Sequence, residues 1–159
     1  MTTTILSTYL PGEGHFHSDR FDVLPWCCDD DLDYWGGLVS LWNRPVTIVN
    51  VEHDVEVTGE HIDALLACPH PLCSWAYESH WISTHQPRDV ISARNPDGFI
   101  TEATEWAEQS AIGLVKITPG ARIAPLVEAP WCSLEVSVEN AVKRPWHMHF
   151  SPPLPHHHW

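Results

Sequence analysis

Val46–Asp54, VTIVNVEHD, is an apolar, β-branched run that stops abruptly at two carboxylates. A run of this kind reads as a buried strand whose end opens on a polar site. Successive side chains on a strand take opposite faces, so Glu52 and Asp54 are expected to project together while His53 faces the other way. Two acids converging at the end of a central strand make a natural site for a hard divalent cation. A solvent-exposed acidic strand end accounts for the same residues, and spacing alone does not separate the two.

The segments around this run predict alternating strands and helices. Thr3–Leu10 is rich in β-formers and ends at Pro11-Gly12, as a first strand entering a loop does. The stretch from Gly12 to Asp30 mixes Gly, His, acids and aromatic residues without a period, and reads as a long loop, functional or mobile. Between Asp31 and Asn43, Leu32, Trp35, Val39 and Trp42 form one helical stripe, with acids at the amino-terminal end where they suit the helix dipole. Strand, helix, strand in about fifty residues points to an α/β domain with a parallel pair. Glu60–Ala67 reads as a short helix with Thr58 as its cap, followed by a strand over Leu72–Tyr77. Glu78–Phe99 is a polar excursion containing the turn signal Asn95-Pro96-Asp97-Gly98, either a flap over the site or a surface loop. Ile100–Gln109 is acidic and moderately helical, and Ile112–Thr118 is a second apolar strand. Trp131–Lys143 fits both periods, and Pro130 at its start tips it towards helix. WHMHF is then a short strand leading into a His- and Pro-rich tail, residues 151–159.

A length of 159 residues with 43% hydrophobic residues and nine Trp suffices for one domain with a proper core. Twenty-one acidic residues against 8 basic ones give a formal charge of -13. That balance argues against non-specific binding to nucleic acid or to an anionic membrane surface. A phosphate-bearing ligand would need a metal to neutralise it. Neither a membrane-length apolar run nor a signal-peptide pattern is evident, so a cytoplasmic protein is expected. The five Cys, at 27, 28, 68, 73 and 132, are odd in number and lack a paired C-x-x-C pattern, which favours reduced, mostly buried thiols over a disulfide framework.

The same alternation that groups Glu52 with Asp54 puts His147 and His149 on one face of the WHMHF strand. E-x-D and H-x-H together can supply an oxygen and nitrogen ligand set for Mn²⁺, Mg²⁺ or Zn²⁺. His156-His157-His158 form either a polar tail or a further source of one ligand. Glu135, one helical turn past Trp131, suits a general base if it lies near a metal and a hydroxyl, and a solvated helix face otherwise. Trp26, Trp35, Trp75, Trp81 and Trp146 flank polar segments, where packing and ligand stacking are both open to them.

The order in YWGGLVSLWNRPVTIVNVEHDVEVTGEHIDALLACPHPLCSWAY resembles small proteins similar to GT-A nucleotide-sugar glycosyltransferases, in which a helix precedes an apolar strand ending in a D-x-D-like motif, here EHD. IGLVKITPGAR, APWCSLEVSVENAV and PWHMHFSPPLPHHHW resemble the remaining landmarks of that group, and the likeness spans roughly Tyr34 to the end. It implies a minimal GT-A-like, Rossmann-like mixed sheet flanked by helices. It also implies that Asp54 ligates Mn²⁺ or Mg²⁺ on the donor diphosphate, and that Glu52 assists the metal or binds the nucleotide. Glu135 would be the base for the acceptor hydroxyl, and His147 or His149 would complete the metal shell. The expectation is a metal-dependent glycosyltransferase that takes a nucleotide-sugar donor and a hydroxyl acceptor. The alternative is a non-enzymatic acidic binding protein that occupies a basic surface on a partner.

Overall fold

The structure is a computed structural model that describes residues 2–82, 87–91, 93–95, 98–99 and 105–154. Its elements are β1 Thr2–Tyr9, β2 Asp22–Cys27, α1 Asp33–Trp42, β3 Val46–Val51, α2 Gly59–Ala67 and β4 Leu72–Ile82. They continue with β5 Pro87–Ile91, β6 Ala93–Asn95, β7 Gly98–Phe99, β8 Trp106–Ala107, β9 Gln109–Ser110, β10 Leu114–Ile117, α3 Trp131–Ala141 and β11 Trp146–Leu154. The main sheet runs β2-β1-β3-β10-β4-β11-β8, with β5 added to β4, and β7-β6-β9 form a small second sheet. β1 is parallel to both β2 and β3, β10 is antiparallel to its neighbours β3 and β4, and β11 is parallel to β4. Among the described residues the chain is therefore an α/β protein with a mixed sheet and three α-helices.

Two hydrophobic cores lie on the two faces of this sheet, and alternation along each strand feeds both. Leu6, Ile48, Leu72, Val115 and Met148 enter the core that α1 and α3 cover. Their neighbours Ile5, Val49, Cys73 and Leu114 enter the core that α2 covers. All six residues of β3 are buried, as a strand with helices on both faces requires. The Trp of α1 pack with their indole N–H groups satisfied: Trp35 donates to Leu126 O at 3.2 Å and Trp42 to Ala124 O at 2.8 Å. Arg122 closes the other end of the sheet, donating to the carbonyls of Trp42, Arg44, Val46 and Ile117.

The structure departs from the sequence reading in four places. The segment Glu78–Phe99, read as a flap or a surface loop, instead continues β4 to Ile82 and holds β5, β6 and β7, with β5 paired to β4. The stretch read as one long loop contains β2, an edge strand carrying Pro25, where a missing ladder donor is tolerated. The described part of the segment read as helical, from residue 105 onward, forms the two-residue strands β8 and β9. The tail read from residue 151 begins inside β11, whose Leu154 is buried and pairs with Tyr77. His156–His158 lie outside the described residues. Among the described residues no helix is long and apolar enough to cross a membrane.

Candidate functional site

β3 ends at Val51, and residues 53 and 54 belong to a turn in which Val55 N–H donates to Glu52 O at 3.4 Å. The strand alternation expected to align Glu52 with Asp54 therefore stops short of them. The turn nevertheless buries both, with Glu52 7% and Asp54 8% exposed. Burial holds the Glu52 carboxyl well above the usual carboxylate range, and the charges of Asp54 and Glu135 act in the same direction. Glu135 reaches this place from α3. Burial and then these three acids likewise raise the Tyr77 hydroxyl on β4. A cation beside the acids reverses each of these like-charge contributions.

His53 takes a supporting position rather than facing away. One ring nitrogen, Nε2, lies 3.1 Å from Tyr34 Oη on α1, and Nδ1 lies 3.5 Å from Glu13 Oε2. Glu13 belongs to the loop after β1, which also brings Gly14, His15 and Phe16 to a cleft shared with Ser7, Glu52 and His53. Phe16 N–H donates to Ser7 Oγ at 2.8 Å and holds that loop against the strand end. The cleft lies beyond the carboxyl ends of β1 and β3, where the connections from β1 to β2 and from β2 to β3 run to opposite sides. That is the switch point at which open α/β sheets bind ligands.

Gly113 lets the acids approach the sheet. Glu52 N–H donates to its carbonyl at 2.9 Å, and a Cβ there would stand 2.5 Å from Tyr77 Cε1 and 2.9 Å from Val55 Cγ2. Gly113→Ala is expected to cost about 1–3 kcal/mol of stability, as overpacking does. A fall of the urea midpoint at unchanged m-value checks this, and an unmoved midpoint would show that Tyr77 retreats freely.

The mixed E-x-D and H-x-H ligand set is corrected by the topology. β11 stands three strands from β3, through β10 and β4, which is about 14 Å at the usual strand spacing. His147 and His149 instead pair with Cys73 and Trp75 of β4. Among the described residues, the group whose ligand atoms all lie within 4.8 Å of one another is Cys68, Cys73, His147 and His149, with no carboxylate in it. Cys68 caps the carboxyl end of α2, and its Sγ lies 3.3 Å from His147 Nδ1 and 2.8 Å from Cys73 Sγ. Burial pushes the Cys73 thiol up to about 12, and burial followed by neighbouring imidazoles lowers both His147 and His149. Both shifts favour the neutral imidazole, which is the form that ligates metals.

The sequence points to Glu52, Asp54, Glu135, His147 and His149 as candidates but not to Cys68 and Cys73, which the structure brings beside the two His. A signal existed in CPHPLC, where Pro69 and Pro71 fix the short link between two thiols. Nor does the sequence point to Glu13, Tyr34 and Tyr77, which come from three separate elements and carry no local motif. The chain matches no protein-family model, and no curated protein matches it.

Proposed function

We propose that the protein is a metal-dependent glycosyltransferase of GT-A-like kind, moving a sugar from a nucleotide-sugar donor to a hydroxyl acceptor. The observation that carries this reading is the convergence of Glu52, Asp54 and Glu135 at the carboxyl end of β3, beside the switch-point cleft. Carboxylate oxygens are hard donors, and the set suits Mn²⁺ or Mg²⁺ better than a soft metal. Asp54 and Glu52 would hold the ion, which when bound would offset charge on a departing diphosphate. With 8 Lys and Arg against 21 acids, the chain has few cations of its own for that task. Glu135, half-buried on α3, would accept the acceptor hydroxyl proton, while His53, fixed between Tyr34 and Glu13, orders the turn that carries both metal ligands.

Thermal unfolding against a panel of nucleotide sugars, with and without Mn²⁺, tests the reading. A ligand that binds only the native state raises stability by roughly 2.7 kcal/mol at a hundredfold excess over its Kd. The shift is expected with Mn²⁺ and one donor, and to vanish in Asp54→Ala. Glu135→Gln should keep the shift and lose turnover. If no donor moves the melting temperature with either ion, the transferase reading is lost. A salt-sensitive, chelator-insensitive complex with a basic protein would then support the acidic binding protein instead.

A further inference from the structure

We propose that Cys68, Cys73, His147 and His149 form a closed, structural Zn²⁺ site that fastens α2 and β4 to β11, separate from the acids beyond β3. Two thiols and two imidazoles are the donor set that selects zinc over Mg²⁺ or Mn²⁺, and four protein ligands leave no open position for substrate.

The distances suit the ion. Bonds of about 2.3 Å to sulfur and about 2.0–2.1 Å to nitrogen make a tetrahedron with edges of roughly 3.3–3.8 Å. The separation of Cys68 Sγ from His147 Nδ1 is 3.3 Å, already one such edge. The two sulfurs, 2.8 Å apart, need to open by about 1 Å, while the whole set stays within 4.8 Å. His149 leaves Nε2 buried with no hydrogen-bond partner, a cost that a site for a ligand explains. Its ring stacks on Trp75, which fixes the imidazole plane.

The surroundings add two further supports. With Nδ1 of His147 at the sulfur, Nε2 lies 3.7 Å from Glu105 Oε1, so a small movement of this exposed carboxylate would complete the carboxylate–histidine–metal arrangement that orients ligating imidazoles. Lys116, buried in β10, donates from Nζ to Cys68 O at 2.6 Å and places a fixed positive charge beside the two thiols. On binding, each thiol gives up its proton to solvent, so one zinc ion releases two protons from the native chain.

The full-length protein, reduced and stripped of metal with a chelator, is titrated with Co²⁺ and then Zn²⁺. One Co²⁺ per chain should give a thiolate charge-transfer band and the strong visible bands of tetrahedral cobalt, both erased by one Zn²⁺ with two protons released. Cys73→Ser should lose the charge-transfer intensity that Cys73 supplies. Glu105→Gln, on an exposed side chain, should keep the stoichiometry and weaken affinity roughly 10–100-fold. Weak octahedral cobalt bands, a zinc ion retained at full affinity by Cys73→Ser, or a native Cys68–Cys73 disulfide found on alkylation and mass analysis would each overturn the site. Nucleotide-sugar binding plays no part in the readout, so this result and that of the transferase test fall separately.

Discussion

Trp146→Ala is expected to lower stability by about 3–5 kcal/mol, enough to leave a domain of this size marginal. The indole is fully buried in the core beneath α1 and α3, at the start of β11. Its removal opens a cavity in the core cluster that also holds Leu134, Val138 and Met148, and a close-packed interior relaxes only partly into such a space. It also removes a donor, because Trp146 Nε1 lies 2.9 Å and 3.1 Å from the two carboxylate oxygens of Glu139. Glu139 then keeps the Ser110 N–H, at 3.2 Å, and loses its better partner. Trp146→Phe separates the two contributions by filling most of the cavity while losing the N–H, and should cost about 1–3 kcal/mol. Urea unfolding of both variants reads the difference. An alanine variant within about 1 kcal/mol of the parent would show that the core collapses around the site.

The helices and the central strands were legible because their patterns are local. Leu32, Trp35, Val39 and Trp42 repeat at the helical period and α1 forms there, but its buried face is Tyr34, Leu38, Leu41 and Trp42, with Leu32 exposed and Trp35 and Val39 only half-buried. Six buried residues in a row make β3, with a parallel partner in β1 as the strand–helix–strand order requires. What stayed hidden depends on partners distant in sequence. Trp106 and Ala107 become a strand because His147 and Trp146 lie opposite them, and nothing within EWAEQ says so. β2 is half-exposed and interrupted by Pro25, so no period marks it.

The same division runs through the candidate sites. Alternation correctly put His147 and His149 together on one face, but their neighbours Cys68 and Cys73 are chosen by the parallel pairing of β11 with β4, about seventy residues away in sequence. Glu52 and Asp54 were grouped by an alternation that ends at Val51, and a turn rather than a strand buries them. Their meeting with Glu135 depends on how α3 packs, which the residues around Glu135 do not encode.

Stability should fall as pH rises from about 4.5 to about 7, and Glu139 should be a main cause. Burial pushes its carboxyl from the ordinary 4.5 up to about 7, against the opposing pull of the Trp146 and Ser110 hydrogen bonds and the charge of Arg144. Below about pH 4.5 the group is protonated in the folded and unfolded chains alike, so it does not distinguish them. Between the two values the unfolded carboxyl ionises while the folded one keeps its proton, and each proton lost selectively from the unfolded state favours unfolding. The gap between 4.5 and about 7 corresponds to roughly 3 kcal/mol, fully lost above about pH 7. Glu52, raised by burial and its acidic neighbours, slopes the same way, whereas the lowered His61, His147 and His149 slope oppositely below about 6.5. A difference measurement isolates Glu139 from all of them. Glu139→Gln stays neutral at every pH, and its amide oxygen still accepts from Trp146 and Ser110. Its stability relative to the parent should therefore rise by roughly 3 kcal/mol between pH 4 and pH 8, read from urea midpoints at each pH. A constant offset between the two proteins across that range would mean that Glu139 ionises alike in the folded and unfolded chains, and that its burial does not govern its charge.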